Sequence, residues 1–123
     1  MKDTDFRKPF PDRFPNYVIN RLGVVKNIKT GNVWDQEKWL RKGFGYCFVI
    51  LSHKGDRKRG YIHRLIWRAF KGTIPPDYQI HHLNNISDDN RLSNLKMTSR
   101  LENIAYRWRR VRDGLLPTEE KEL

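Results

Sequence analysis

Two kinds of pattern in the chain predict an α+β fold. The first half carries Val-, Ile- and aromatic-rich runs bounded by turn residues, as strands do, while residues 62–70 and the run from Arg100 to Arg112 space their apolar residues as helices do. Size adds a third constraint. With 123 residues and 37% hydrophobic content the chain can build one modest core and no more.

Residues 1–15, with Pro9, Pro11 and Pro15 set among charges, read as an extended basic arm. From Tyr17 the run YVINRLGVVKN is strand-like, and KTGN at 29–32 is turn chemistry that folds it back into Val33 and Trp34 as a hairpin. GYCFVIL at 45–51 is a second strong strand. It sets Tyr46, Phe48 and Ile50 on one face and Cys47, Val49 and Leu51 on the other, so Cys47 reads as a packed small residue. The SHKGDRKRG that follows is polar throughout and reads as a turn. Together these elements make a small β-rich module over residues 16–60.

The second half, residues 61–112, opens with a change of period. In IHRLIWRAF, Ile62, Leu65, Ile66, Ala69 and Phe70 share one helical face and Arg64 and Arg68 another. KGTIPP then forces a loop, DYQIHH is extended, LNNISDDNRLS is a polar loop, and NLKMTS is a short strand. Ser99 with Glu102 forms the capping box of a last helix expected over Arg100 to Arg112. Its apolar stripe is Leu101, Ile104, Ala105, Trp108 and Val111, and its other side carries Arg100, Asn103, Arg107 and Arg110. Residues 113–123 read as a flexible tail.

Charge speaks about partners. The chain holds 25 Lys and Arg against 14 Asp and Glu, for a net +11, which suits double-stranded DNA. The excess is uneven: 14 basic against 6 acidic residues in 1–60, 6 against 4 in 61–103, and 5 against 4 in 104–123. A grip at the ends around a less charged middle suggests that the middle does something else. No apolar run approaches the roughly 18 residues of a spanning helix, so a membrane role is not expected. The single cysteine, Cys47, forbids an internal disulfide, and the charged, proline-broken start lacks a signal-peptide pattern, so the expected location is the cytoplasm.

That middle holds His81 and His82 side by side, out of four histidines in the chain. Neighbours on a strand point to opposite faces, but at a strand end both can reach one centre. With Asn94 on the next strand and Asn103 on the last helix they can surround one point. Phosphodiester hydrolysis needs a base for water and a counter-charge for the leaving oxygen. A neutral imidazole serves the first need, and a divalent cation with few protein ligands serves the second. Adjacent histidines can divide that labour. His63 can equally cap, pack or touch DNA, and His53 reads as solvated. Asp88 and Asp89 read as turn chemistry more than as charge near a metal, Trp67 and Trp108 read as core, and Trp34 and Trp39, beside Lys38 and Arg41, read as core with stacking on or wedging between bases as the alternative.

The run IHRLIWRAF, continued by IHHLNNISDDNRLSNLKMTSRLENI, resembles the HNH endonuclease motif of phage and intron homing enzymes, whose active site is a ββα-metal finger. The resemblance implies His82 as general base and Asn94 as the residue that ties the loop and orients the base. It also implies His81 and Asn103 as ligands of one divalent metal ion, Mg²⁺ or Mn²⁺. Asn stands at position 103, where the name-giving residue is His. The segment YVINRLGVVKN is similar to the β-rich DNA-binding module often attached to such nucleases. The fold then expected is that module followed by an HNH finger and a C-terminal helix, with Arg64, Arg68, Arg100, Arg107 and Arg110 on DNA. The products implied are 5′-phosphate and 3′-hydroxyl ends. A monomer would nick, whereas a homodimer would allow a double-strand cut, and a phage-encoded chain would act in the bacterial host cytoplasm. A competing expectation is a non-catalytic DNA-binding regulator that keeps the scaffold. A structural zinc module is disfavoured by one distant cysteine.

Overall fold

The structure, a computed structural model, describes residues 4–42 and 46–102. Eight strands and one α-helix follow in the order β1 (Tyr17–Ile19), β2 (Val25–Asn27), β3 (Val33–Trp34), β4 (Leu40–Lys42), β5 (Tyr46–His53), β6 (Asp56–Tyr61), α1 (Ile62–Phe70), β7 (Tyr78–His82) and β8 (Leu95–Ser99). They form three antiparallel sheets, β1-β2-β3, β4-β5-β6 and β7-β8. The α+β class expected from the pattern is the one observed.

Helix α1 joins the sheets, touching β1, β5, β6 and β7. Its apolar face carries Ile62, Leu65 and Ile66 into a core completed by Phe14, Tyr17, Ile19, Val25, Trp39, Val49, Leu51, Ile80 and Leu95. On β5, Cys47, Val49 and Leu51 are buried together, the face the alternation predicts. Two glycines permit the close packing. A Cβ on Gly23, which has φ +87°, would stand 2.6 Å from the Trp39 ring and 2.8 Å from Ile62, while one on Gly60 would meet Leu65 at 2.9 Å. The Trp39 indole N–H donates to the Gly23 carbonyl at 3.1 Å, which fixes Trp39 as a core residue. Trp34 packs beside Tyr17.

Three expectations differ from the fold. The segment expected as one strand from Tyr17 is a hairpin, β1 and β2, because Asn20 turns the chain by accepting the amides of Leu22 and Val24 at its Oδ1. The described part of the expected extended arm is folded onto the core. Phe14 is fully buried, Arg7 bridges Ile19, and Arg68 donates to the Pro9 carbonyl. The burial of one phenylalanine outweighs the prolines' bias toward an open chain. The polar SHKGDRKRG is a turn only at Lys54 and Gly55. Asp56–Tyr61 is a strand whose charges stand at a sheet edge, where pairing with β5 supplies the order that composition conceals.

Candidate active site

Strand β7 places Ile80 and His82 toward the core, and both are buried. His81, one residue earlier, pairs with Lys96 of β8, and His82 pairs with Leu95. At the strand end the two histidines nevertheless line one cleft of about 200 Å³, together with Tyr46, Asn85 and Ser87. This answers why the pair stands where it does. The strand separates the rings, and its end lets both reach the same space.

The loop that follows is held by side-chain amides. Asn94, at the end of a 3-10 turn over Leu92–Asn94, donates from Nδ2 to the Asp89 carbonyl at 2.8 Å and to Asn84 Oδ1 at 3.0 Å. Its Oδ1 accepts the Asn84 amide at 3.1 Å, and its carbonyl accepts the amide of Leu83 at 2.8 Å. Asn84 also donates to Asp89 Oδ2 at 2.8 Å, and Arg91 pairs with both oxygens of Asp89. The Arg91 hydrogen bond holds the Asp89 carboxyl down at about 2. Asp89 is thereby committed to the loop, and Asp88 accepts the buried Cys47 thiol at 3.4 Å. Asn94 is buried and does not line the cleft.

His82 is fixed by Asn90, whose Oδ1 lies 2.7 Å from its Nε2. With the amide oxygen facing the ring, Nε2–H is the donor, and in the neutral tautomer the lone pair is then on Nδ1. Against the ring pack two others. Tyr46 stacks on His82 at 5.9 Å with 17° between planes, and His63 lies 5.0 Å away. Burial, with His82 and Arg64 adding to it, pushes the His63 imidazole down to about 3, so His63 is neutral in the folded protein. It makes no cap hydrogen bond at the start of α1 and serves as packing for His82. Asn90, Tyr46 and His63 are the residues the sequence did not single out as partners of His82. Nothing in a single strand or helix period could have paired them.

Asn103 lies outside the described residues, as do Arg107, Arg110, Trp108 and the tail. The capped start of the expected helix is present: residues 100–102 are helical, and Ser99 Oγ accepts the Glu102 amide at 3.1 Å. Arg100 is exposed and its amide donates to the Asp77 carbonyl. Leu101, first of the expected apolar stripe, is exposed. Among the described residues no three His, Cys, Asp or Glu side chains converge as a metal cluster. The donors of the cleft are an imidazole from His81, an amide from Asn85 and a hydroxyl from Ser87. That set fits a cation that keeps its waters and takes its remaining oxygens from phosphate.

A second cleft, of about 290 Å³, opens between β6, α1 and the N-terminal segment. Arg13, Lys58, Arg59, Arg64 and Arg68 line it. Arg13 is paired with Asp56 at 2.6 Å and Arg68 lies over Phe10, whereas Lys58, Arg59 and Arg64 form no salt bridge among the described residues. Two of the five basic residues expected on DNA, Arg64 and Arg68, therefore share one basic surface.

The HNH endonuclease family model matches residues 60–105, the stretch from the end of β6 through both histidines to the start of the last helix. Residues 60–105 place the chain in the HNH endonuclease family. Two uncharacterized HNH endonucleases of Acanthamoeba polyphaga mimivirus resemble this HNH chain. L247 is 31% identical over 109 residues, covering 85% of this chain and 26% of the relative, and L245 is 30% identical over 93 residues, covering 76% and 27%. The chain thus spans about a quarter of the length of the curated relatives it matches. A solved structure of the HNH homing endonuclease I-HmuI, concerned with its DNA binding and cleavage, shares the fold. It matches with TM-score 0.76 over 97% of this chain and 64% of that one, at 20% identity.

Proposed function

We propose that this HNH chain cleaves double-stranded DNA as a metal-dependent endonuclease, with His82 as general base. The observation that carries the reading is the hydrogen bond from His82 Nε2–H to Asn90, which leaves the Nδ1 lone pair free to accept a proton at the cleft. A base must present a lone pair and hold its direction, and this ring does both. His82 takes a proton from water as the water attacks phosphorus in line, and the products carry 5′-phosphate and 3′-hydroxyl ends. Asn94 keeps the loop closed around Asn90, so that the bond to His82 persists. His81 and Asn103 would hold a divalent cation, Mg²⁺ or Mn²⁺. When bound, that ion supplies positive charge to the phosphate and to the departing oxygen. Lys58, Arg59 and Arg64 grip the backbone phosphates from the neighbouring basic cleft.

Supercoiled plasmid incubated with the purified chain and Mg²⁺ or Mn²⁺, with EDTA as control, tests the reading. Metal-dependent nicking that His82→Ala abolishes is the expected result. Binding without cleavage under every divalent metal would favour a DNA-binding regulator instead.

A further inference from the structure

We propose that Tyr46 is the positioning residue that sets the plane of the His82 ring, and with it the direction of Nδ1. The inference rests on the reading of His82 as base and adds a residue outside the matched segment. The imidazole turns about its Cβ–Cγ bond, a rotation with only a broad two-fold preference of its own. Nε2 stands nearer to that axis than Nδ1 does, so its bond to Asn90 fixes the tilt of the ring more firmly than the rotation. Nδ1 lies off the axis and swings with every change of the plane. What resists the swing is contact with the ring faces.

Tyr46 provides that contact. It lies within 17° of parallel to His82, and it also stacks on His63 at 5.1 Å with 29° between planes. His63 in turn stands 5.0 Å from His82, so the three rings brace one another in a triangle. Offset stacking of this kind is favourable, and rotating His82 would break it. Tyr46 keeps 42% of its surface exposed while lining the same cleft as the two histidines. A large aromatic held at the surface contributes little to the core, so its removal leaves the fold intact and isolates its action on His82. The ring, not the hydroxyl, does this. The Tyr46 hydroxyl forms no hydrogen bond among the described residues.

Tyr46→Leu should lower the single-turnover cleavage rate about tenfold while the Kd for DNA and the melting temperature stay near wild type. Tyr46→Phe should restore the rate to within about twofold, because it restores the stack. Imidazole NMR supplies a readout besides activity. The NOE contacts of the His82 ring protons with Asn90 and His63 report the ring plane, and they should change in Tyr46→Leu and keep the wild-type pattern in Tyr46→Phe. A Tyr46→Leu protein with wild-type rate or with the wild-type NOE pattern overturns the proposal. His82→Ala, run beside them, separates the two failures. If it cuts as wild type does, the nuclease reading falls, and the imidazole signals still decide whether Tyr46 sets the ring.

Discussion

The core around α1 and the loop between β7 and β8 are built on opposite principles. The core is specified by volume: Ile62, Leu65 and Ile66 fill the space that Gly23 and Gly60 leave open, and the packing contains few polar atoms. The loop is specified by amides: Asn84 and Asn94 donate to named acceptors, Asn90 turns its Oδ1 to His82, and apolar side chains such as Leu83 and Ile86 point to solvent. Damage to the first should lower stability and leave the cleavage rate we propose for the folded protein unchanged. Damage to the second should lower rate more than stability. The chemistry we propose sits on the part where geometry is set by direction, not by shape.

The sharpest test of the contrast is His82→Ala, which should reduce cleavage by about 10² to 10⁴ and leave DNA affinity almost intact. Equal cutting by both proteins would remove the loop from the chemistry altogether. Gly23→Ala probes the other side. Its Cβ would strike Trp39 in a left-handed backbone, so stability should drop by about 3 kcal/mol, with the rate per folded molecule unchanged at low temperature. Urea melts alongside single-turnover rates would expose any loss of rate, which would mean that the core also tunes the site. Asn94→Ala should cost about 2 kcal/mol through the orphaned Asp89 carbonyl and Asn84 amide, and it should slow cleavage as well. A variant that melts early and cuts normally would break the contrast.

His63 stands at the seam between the two regions and gives a pH signature. Its imidazole is lowered from 6.5 to about 3, so below 6.5 the unfolded chain binds a proton that the folded chain refuses. Stability is therefore full above pH 6.5 and falls by up to about 1.4 kcal/mol per pH unit below it, until about pH 3. Asp89, lowered from 3.8 to about 2, loses its contribution only below 3.8, which leaves the upper part of the window to His63. Thermal melts of wild type and His63→Phe between pH 4.5 and 7 should show the slope only in wild type. The smallest expected effect is electrostatic. Changing Lys58, Arg59 or Arg64 to Ala should each reduce the log–log salt slope of DNA binding by about 0.9, and an unmoved slope would turn that cleft away from DNA.

Helix α1 was legible because its apolar face repeats over nine residues, and the paired histidines were legible because of their position at a strand end. Strand β6 was not. Arg57, Lys58 and Arg59 show no alternation, since an edge strand exposes both faces and takes its order from β5. The packing of Phe14 was hidden for a related reason: one aromatic among prolines has no period to announce it. The loop's wiring followed from the asparagines in part, because Asn94 as the tie could be expected from the family resemblance. Asn90, Tyr46 and His63 act on His82 from a loop, a strand and a helix, and only the closed fold brings them together.

The turn between β5 and β6 has a consequence for how the chain acquires its shape. Lys54 and Gly55 both adopt positive φ, 49° and 81°, the two-residue arrangement whose twist matches that of paired strands. It closes a hairpin between immediate sequence neighbours, and β6 runs into α1 with no intervening loop. Residues 46–70 thus hold their contacts at short sequence separation, where loop-closure entropy is lowest, and hairpins of this kind form in about 1–10 μs. We expect this block to order first and to offer Leu51 and Leu65 as the surface on which β1 and β7 condense. Folding-rate measurements on Leu51→Ala and Ile80→Val should then give a high φ-value for the first and a low one for the second. On that account β7, the strand that carries His81 and His82, is among the last parts of the protein to arrive.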